Sequence, residues 1–241
     1  MFKFTPRKET RYMRGVVILL WGMTFGALVV AVGGCTAPKN QEEARRDTAK
    51  VEEIIVEEDR PLILFFGNSL TAGYGLEEEQ AFPALIQEKI DREGLVYRVV
   101  NGGLTGETTA SGLNRLDWFL EEAPAVFVLE LGGNDGLRGI PVEETRRNLK
   151  NILQKVKESY PETYILLAGM QIPPNMGQAY TSAFSGMYEE IAEEEGVGLI
   201  PFLLEGVAGD PELNLPDGIH PTAEGHEIVA ATVWEYLRRV L

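Results

Sequence analysis

The chain has 241 residues, 44% of them apolar and 24% charged, enough for one generous core or two small domains, which excludes a mini-protein held together by staples. Its 22 basic and 37 acidic residues leave a net charge of −15, which argues against attraction to nucleic-acid phosphates or anionic headgroups. One Cys excludes an intrachain disulfide and, with only two His, cannot complete an ordinary structural zinc site, so the chemistry falls to oxygen nucleophiles, carboxylates and two imidazoles.

The charge is unevenly spread. Residues 1–34 carry Lys3, Arg7, Lys8, Arg11 and Arg14 against Glu9, a local balance of +4, so with −15 overall the remainder carries −19. The basic stretch ends at Arg14, an uncharged run follows from Gly15 to Gly34, and Cys35 comes next. That is the three-part layout of an export signal. Val32-Gly33-Gly34-Cys35 resembles the bacterial lipoprotein box, which implies cleavage before Cys35 and a diacylglyceryl group on its thiol. The alternative is an uncleaved membrane anchor, since the run approaches the roughly 20 residues needed to span a bilayer. Either way, positive charge ahead of the apolar run places the remainder outside the cytoplasm, with the membrane as a partner through the N-terminus. Residues 35–60, dominated by Glu, Arg, Lys and Asp, read as a charged tether, or alternatively as a solvated helix lying on the domain.

Residues 61–241 have a different pattern. Short apolar runs at Leu62–Phe66, Val96–Val100, Ala125–Leu131, Tyr164–Met170 and Val197–Ile200 suit strands buried on both faces. Between and after them lie helically spaced apolar positions: Phe82, Leu85, Ile86 and Ile90, then Leu149, Ile152, Leu153, Val156 and Tyr160, and finally Val229, Val233, Leu237 and Val240. Alternating strand and helix predicts a single α/β domain with a parallel sheet covered on both faces. In such sheets ligands gather at the carboxyl ends of the strands.

The loops at those ends hold four clusters: Gly67-Asn68-Ser69-Leu70, Asn101 to Thr108 with Gly106 inside it, Gly132-Gly133-Asn134-Asp135-Gly136, and Asp217-Gly218-Ile219-His220-Pro221. Together they offer a hydroxyl, backbone amides, a carboxamide, a carboxylate and an imidazole, the parts needed for acyl transfer. Serine needs a base that titrates near neutrality, and His is the natural one. His226 falls in the last helical stretch, where a packing or surface role is favoured. His220 lies in a Gly- and Pro-bounded loop with Asp217 three residues earlier, able to fold back and fix its tautomer. Taken singly, each candidate has an ordinary alternative: Ser69 as a turn or N-cap residue, Asn134 in αL geometry, Gly106 at a positive φ. No Gly-x-Ser-x-Gly elbow, phosphate-binding loop or dinucleotide fingerprint competes.

In order and spacing the four clusters resemble the blocks of the SGNH (GDSL) hydrolases, and in particular their thioesterase, arylesterase and lysophospholipase branch, over about residues 61–241. The resemblance implies a three-layer, flavodoxin-like α/β sandwich with a five-stranded parallel sheet. It implies Ser69 as nucleophile, His220 as base and Asp217 as its orienter, with Gly106 and Asn134 joining the Ser69 amide as oxyanion donors, and no metal or other cofactor. The substrates it implies are small-molecule esters, thioesters or lipids. A carbohydrate O-acetylesterase is the alternative activity; a lipid- or glycan-binding lipoprotein without catalysis is the rival from another class. One position departs from the family: the first block usually reads Gly-Asp-Ser-Leu, and Asn68 stands in place of the Asp. That Asp is not a triad member, so activity is expected to survive, with altered hydrogen bonding around the nucleophile turn.

Overall fold

In a computed structural model of the chain the described residues are 59–241. The export segment, Cys35 and nearly all of the expected tether lie outside them. Five strands, β1 (Leu62–Gly67), β2 (Arg98–Gly103), β3 (Pro124–Glu130), β4 (Tyr164–Ala168) and β5 (Gly198–Ile200), form one parallel sheet in the order β2-β1-β3-β4-β5. This is the flavodoxin-like order expected, with its switch point between β1 and β3, where loops diverge to form a crevice. β1 is buried throughout and β3 nearly so, which is why both appear in the sequence as nearly continuous apolar runs.

The helices are α1 (Ser69–Ala72), α2 (Phe82–Arg92), α3 (Thr109–Arg115), α4 (Gly133–Leu137), α5 (Val142–Ser159), α6 (Gln178–Glu195) and α7 (Ala223–Leu237). α2 packs on α7, while α5 packs on both α3 and α6; right-handed crossovers put these two groups on opposite faces of the sheet. Among the described residues no helix is long and apolar enough to cross a membrane.

Two elements depart from the sequence expectation. β2 starts two residues later than the apolar run, leaving Val96 65% exposed, and continues through Asn101-Gly102-Gly103 beside Phe65-Phe66-Gly67. As an edge strand it needs less apolar surface, and its end tolerates only glycine: a Cβ on Gly103 would lie 2.2 Å from the Ala72 backbone nitrogen. α6 is absent from the helically spaced stretches above, although it buries Phe184, Met187, Tyr188, Ile191 and Ala192. Its other face is acidic, and Glu190, Glu194 and Glu195 pair there with Arg146, Lys150 and Lys157 of α5.

His226 is a packing residue, but a deeply buried one, 1% exposed. α2 has no side-chain cap at Ala81. The Phe82 N–H instead donates to His226 Nδ1 at 3.0 Å, and the two rings stack. Burial first, and then the nearby His220, push the His226 pKa from 6.5 down to about 4, so the folded state holds the ring neutral while the unfolded chain can protonate it. Its stabilising contribution is therefore complete above the unfolded value and is lost as pH falls toward the folded one. His226→Ala should lower stability at pH 7 by about 2–4 kcal/mol through the cavity and the orphaned N–H, with kcat close to wild type. Thermal melts at pH 7 and 5 should show wild type losing about 2 kcal/mol more than the variant over that interval.

Candidate active site

Gly67, the last residue of β1, lies where a Cβ would meet Thr71 Oγ1 at 2.1 Å and Glu130 Oε2 at 2.6 Å. Only glycine lets the chain turn this tightly out of the sheet. Asn68 caps the single turn of α1, its Oδ1 accepting from the Leu70 N–H at 2.9 Å. Ser69 then falls at the first helical position, 6% exposed, at the floor of a cleft.

The loop before α7 brings the imidazole to it. The Leu215 N–H donates to the His220 carbonyl at 2.7 Å and the Thr222 N–H to the Leu213 carbonyl at 2.9 Å, closing a narrow turn. Asn214 pins its base by donating to the Val207 and Asp210 carbonyls, each at 2.7 Å. Asp217 Oδ1 accepts from the Ile219 and His220 N–H groups at 2.9 and 3.0 Å, and Oδ2 lies 2.7 Å from His220 Nδ1. Burial pushes the Asp217 carboxyl up, but the His220 backbone and ring and the Ile219 N–H outweigh it and hold it at about 2. An ionised Asp217 only accepts, so His220 Nδ1 carries the hydrogen and Nε2 is left as the acceptor. The Ser69 hydroxyl lies 2.9 Å from that Nε2, which puts its proton within reach of a base. Tyr74 covers the imidazole, ring centroids 4.5 Å apart.

Asn134 lines the same cleft from α4. Its Nδ2 donates to the Glu107 carbonyl at 3.0 Å, and a carboxamide has a second hydrogen to offer. Gly106 sits in the adjacent loop at φ +79 and is tied to the end of α4 by Arg138, which donates to its carbonyl at 3.0 Å. Ser69, Asn134, Asp217 and His220 thus come together, with Gly106 beside them. Among the described residues no group of three or more His, Cys, Asp or Glu could hold a metal ion.

Three buried supports go beyond what the sequence motifs indicate. Glu130, at the end of β3, is 1% exposed and accepts from the Asn68 N–H at 3.0 Å, Asn68 Nδ2 at 2.6 Å and Thr71 Oγ1 at 2.9 Å. Burial pushes its carboxyl up to about 7 while those bonds pull the other way. Its signal in the sequence is a charge near the end of an otherwise apolar run. Arg115 pairs with buried Glu107, donates to the Gly67 and Gly102 carbonyls at 3.2 and 2.7 Å, and packs its guanidinium on Phe66 and Phe119. It locks the ends of β1 and β2 together beneath the site. Asp135 accepts from the Thr109 N–H and hydroxyl at 2.9 and 2.6 Å, joining α4 to α3.

The cleft measures about 630 Å³. Leu70, Leu137, Met170, Ile172, Phe202, Leu204 and Ile219 supply much of its wall, and among the described residues lining it no Asp, Glu, Lys or Arg side chain occurs. A smaller cavity of about 340 Å³, lined by Leu85, Glu88, Lys89, Arg92, Glu227 and Ala230, holds none of the site groups.

The chain is similar to known proteins. Esterase TesA of Pseudomonas aeruginosa is 42% identical over 180 residues, covering 74% of this chain and 89% of that protein. The thioesterase 1/protease 1/lysophospholipase L1 of Escherichia coli is 39% identical over 169 residues, 70% of this chain and 79% of its own length. The crystal structure of the psychrotrophic esterase EstA from Pseudoalteromonas, inhibited by monoethylphosphonate, superposes with a TM-score of 0.70 at 32% identity, covering 74% of this chain and 97% of that one. Residues 65–228, which reach from β1 into α7 and include every site residue named above except Cys35, match the model of the GDSL-like lipase/acylhydrolase family, and the chain belongs to that family.

Proposed function

We propose that the protein is an extracytoplasmic, membrane-tethered serine esterase that hydrolyses carboxylic esters through an acyl-enzyme at Ser69. The observation that carries this reading is the unbroken relay Asp217–His220–Ser69, with contacts of 2.7 and 2.9 Å, opening into a cleft with no Asp, Glu, Lys or Arg among the described residues that line it. Ser69 Oγ attacks the ester carbonyl as its proton passes to His220 Nε2. The Asp217 carboxylate stabilises the imidazolium that forms, and His220 then returns the proton to the departing alkoxide. A water deprotonated by the same nitrogen releases the acid and restores Ser69. The Ser69 and Gly106 amides and the Asn134 carboxamide are assigned to the oxygen of each tetrahedral intermediate.

The aliphatic lining favours alkyl acyl groups over sugar acetates, because each buried methylene contributes about 0.8 kcal/mol. Such walls fit neutral acyl chains, including those of lysophospholipids, a class named for the Escherichia coli relative. With a series of p-nitrophenyl esters, kcat/KM should rise from acetate to hexanoate or octanoate by about tenfold or more. A preference for acetate would instead favour the carbohydrate O-acetylesterase.

For location, the proposal rests on the basic and apolar N-terminal segment ending at Cys35. Residues 1–34 are removed, Cys35 is diacylated, and residues 35–60 tether the domain. One acyl chain binds membranes only marginally, so stable tethering takes the several chains of a lipoprotein. Mass spectrometry of the mature N-terminus should find an acylated Cys35; an unmodified Cys35 in the intact precursor would mean an ordinary transmembrane anchor.

A further inference from the structure

We propose that Glu130 is a positioning residue for the Ser69 turn, and that Asn68 and Glu130 form a matched amide–carboxylate pair whose two groups can be exchanged between the positions. The proposal deepens the serine-esterase reading and rests on it. Glu130 never meets the cleft; it acts on Ser69 from both sides, through residue 68 before it and Thr71 after it.

The pairing follows from donors and acceptors. Glu130 Oε2 accepts from the Asn68 N–H and the Thr71 hydroxyl, and Oε1 accepts from Asn68 Nδ2. All three partners donate, which suits a carboxylate, an acceptor at both oxygens. The Asn68 amide is fixed in one orientation, since its Oδ1 accepts from the Leu70 N–H. Turned over, it would set a carbonyl oxygen against the carboxylate and an NH2 against an N–H. The cap of α1 and the anchor on β3 thus share one side chain, and Ser69 is the next residue. No slack exists on the other side, because Gly67 already lies at contact distance from Glu130 and Thr71.

The same geometry says what each substitution does. In Glu130→Gln one acceptor becomes an NH2 facing a donor, and rotating Asn68 only moves the conflict to Leu70. In Asn68→Asp two carboxyl groups face each other at the 2.6 Å now spanned by a hydrogen bond from the Asn68 amide, a contact that holds with one shared proton. In the double variant the glutamine oxygen at position 130 keeps the bonds from the residue 68 N–H and from Thr71. The glutamine NH2 donates to one oxygen of the new carboxylate at position 68, and the other oxygen of that carboxylate still accepts from Leu70. The bond count is unchanged and only the polarity is exchanged.

The test measures kcat, KM and Tm for wild type, Glu130→Gln, Asn68→Asp and the double variant, with a p-nitrophenyl ester. Glu130→Gln should lower kcat by about tenfold or more with little change in KM, the cost of one mismatched buried polar contact beside the nucleophile. The double variant should recover to within about threefold of wild type in kcat and regain the lost Tm, a coupling that additive effects cannot produce. Should Glu130→Gln fail to fold, recovery of folded, active protein in the double variant supports the pairing. A double variant no better than Glu130→Gln, or Glu130→Gln indistinguishable from wild type, overturns it, as does recovery of Tm without kcat. Inactive wild-type protein would overturn the esterase reading instead, and that outcome is separate because the Tm coupling is read without substrate.

Discussion

Ser69→Ala and His220→Ala are each expected to lower kcat for p-nitrophenyl ester hydrolysis by about 10⁴-fold or more, while His226→Ala stays near wild type. In the first variant no oxygen stands 2.9 Å from His220 Nε2, so no acyl-enzyme forms. In the second the hydroxyl remains, but its proton has no acceptor, and serine is a weak nucleophile at its free pKa. The two losses should not add in the double variant, because nucleophile and base act in one step. His226 is the control: an imidazole of the same chain, hydrogen-bonded to the Phe82 N–H and buried behind the site. Steady-state rates under saturating ester decide the matter. Wild-type turnover in either Ser69→Ala or His220→Ala would remove that residue from the mechanism.

Asn134→Ala is expected to reduce kcat by about 10² to 10³ with little change in KM. The carboxamide hydrogen not spent on the Glu107 carbonyl is assigned to the tetrahedral oxygen, where charge builds up only after attack. A donor aimed at that oxygen stabilises the transition state more than the bound ester, so its removal shows in kcat. The same substitution frees the Glu107 carbonyl and loosens the loop that carries Gly106, which adds to the loss. Asn134→Ala changing KM alone would contradict the role given to the carboxamide. So would Asn68→Asp proving equally damaging, since Asn68 Oδ1 accepts from the Leu70 N–H and, at 3.4 Å, from the Ser69 hydroxyl, while its NH2 is directed at Glu130 rather than at the tetrahedral oxygen.

Much of this site is legible in the sequence because its chemistry is local. Asp217 and His220 are three residues apart in a turn, and Ser69 and Asn134 each follow a strand visible as an apolar run. What brings them together, the parallel order of β1 and β3 beside the loop before α7, follows from alternating strands and helices. The supports are less visible because they act over long separations. Glu130 meets Asn68 across 62 positions, and Arg115 reaches the Gly67 carbonyl across 48; no local spacing encodes either. Helical spacing marks His226 only as a packing or surface residue, and its full burial depends on α2 crossing α7, where an uncapped helix end needs an acceptor. The end of β2 is hidden because an edge strand requires little apolar surface, so Asn101-Gly102-Gly103 looks like loop. α6 is hidden by the acidic face it turns toward the cations of α5.

The central claim is that Ser69 carries the acyl group. Incubating the protein with a fluorophosphonate, following ester hydrolysis, and mapping the adduct by peptide mass spectrometry tests it most directly. One adduct per chain should form, on Ser69, with activity lost in proportion to labelling. A labelled protein that keeps full activity, or an inactivating adduct on another residue with Ser69 unmodified, would contradict it.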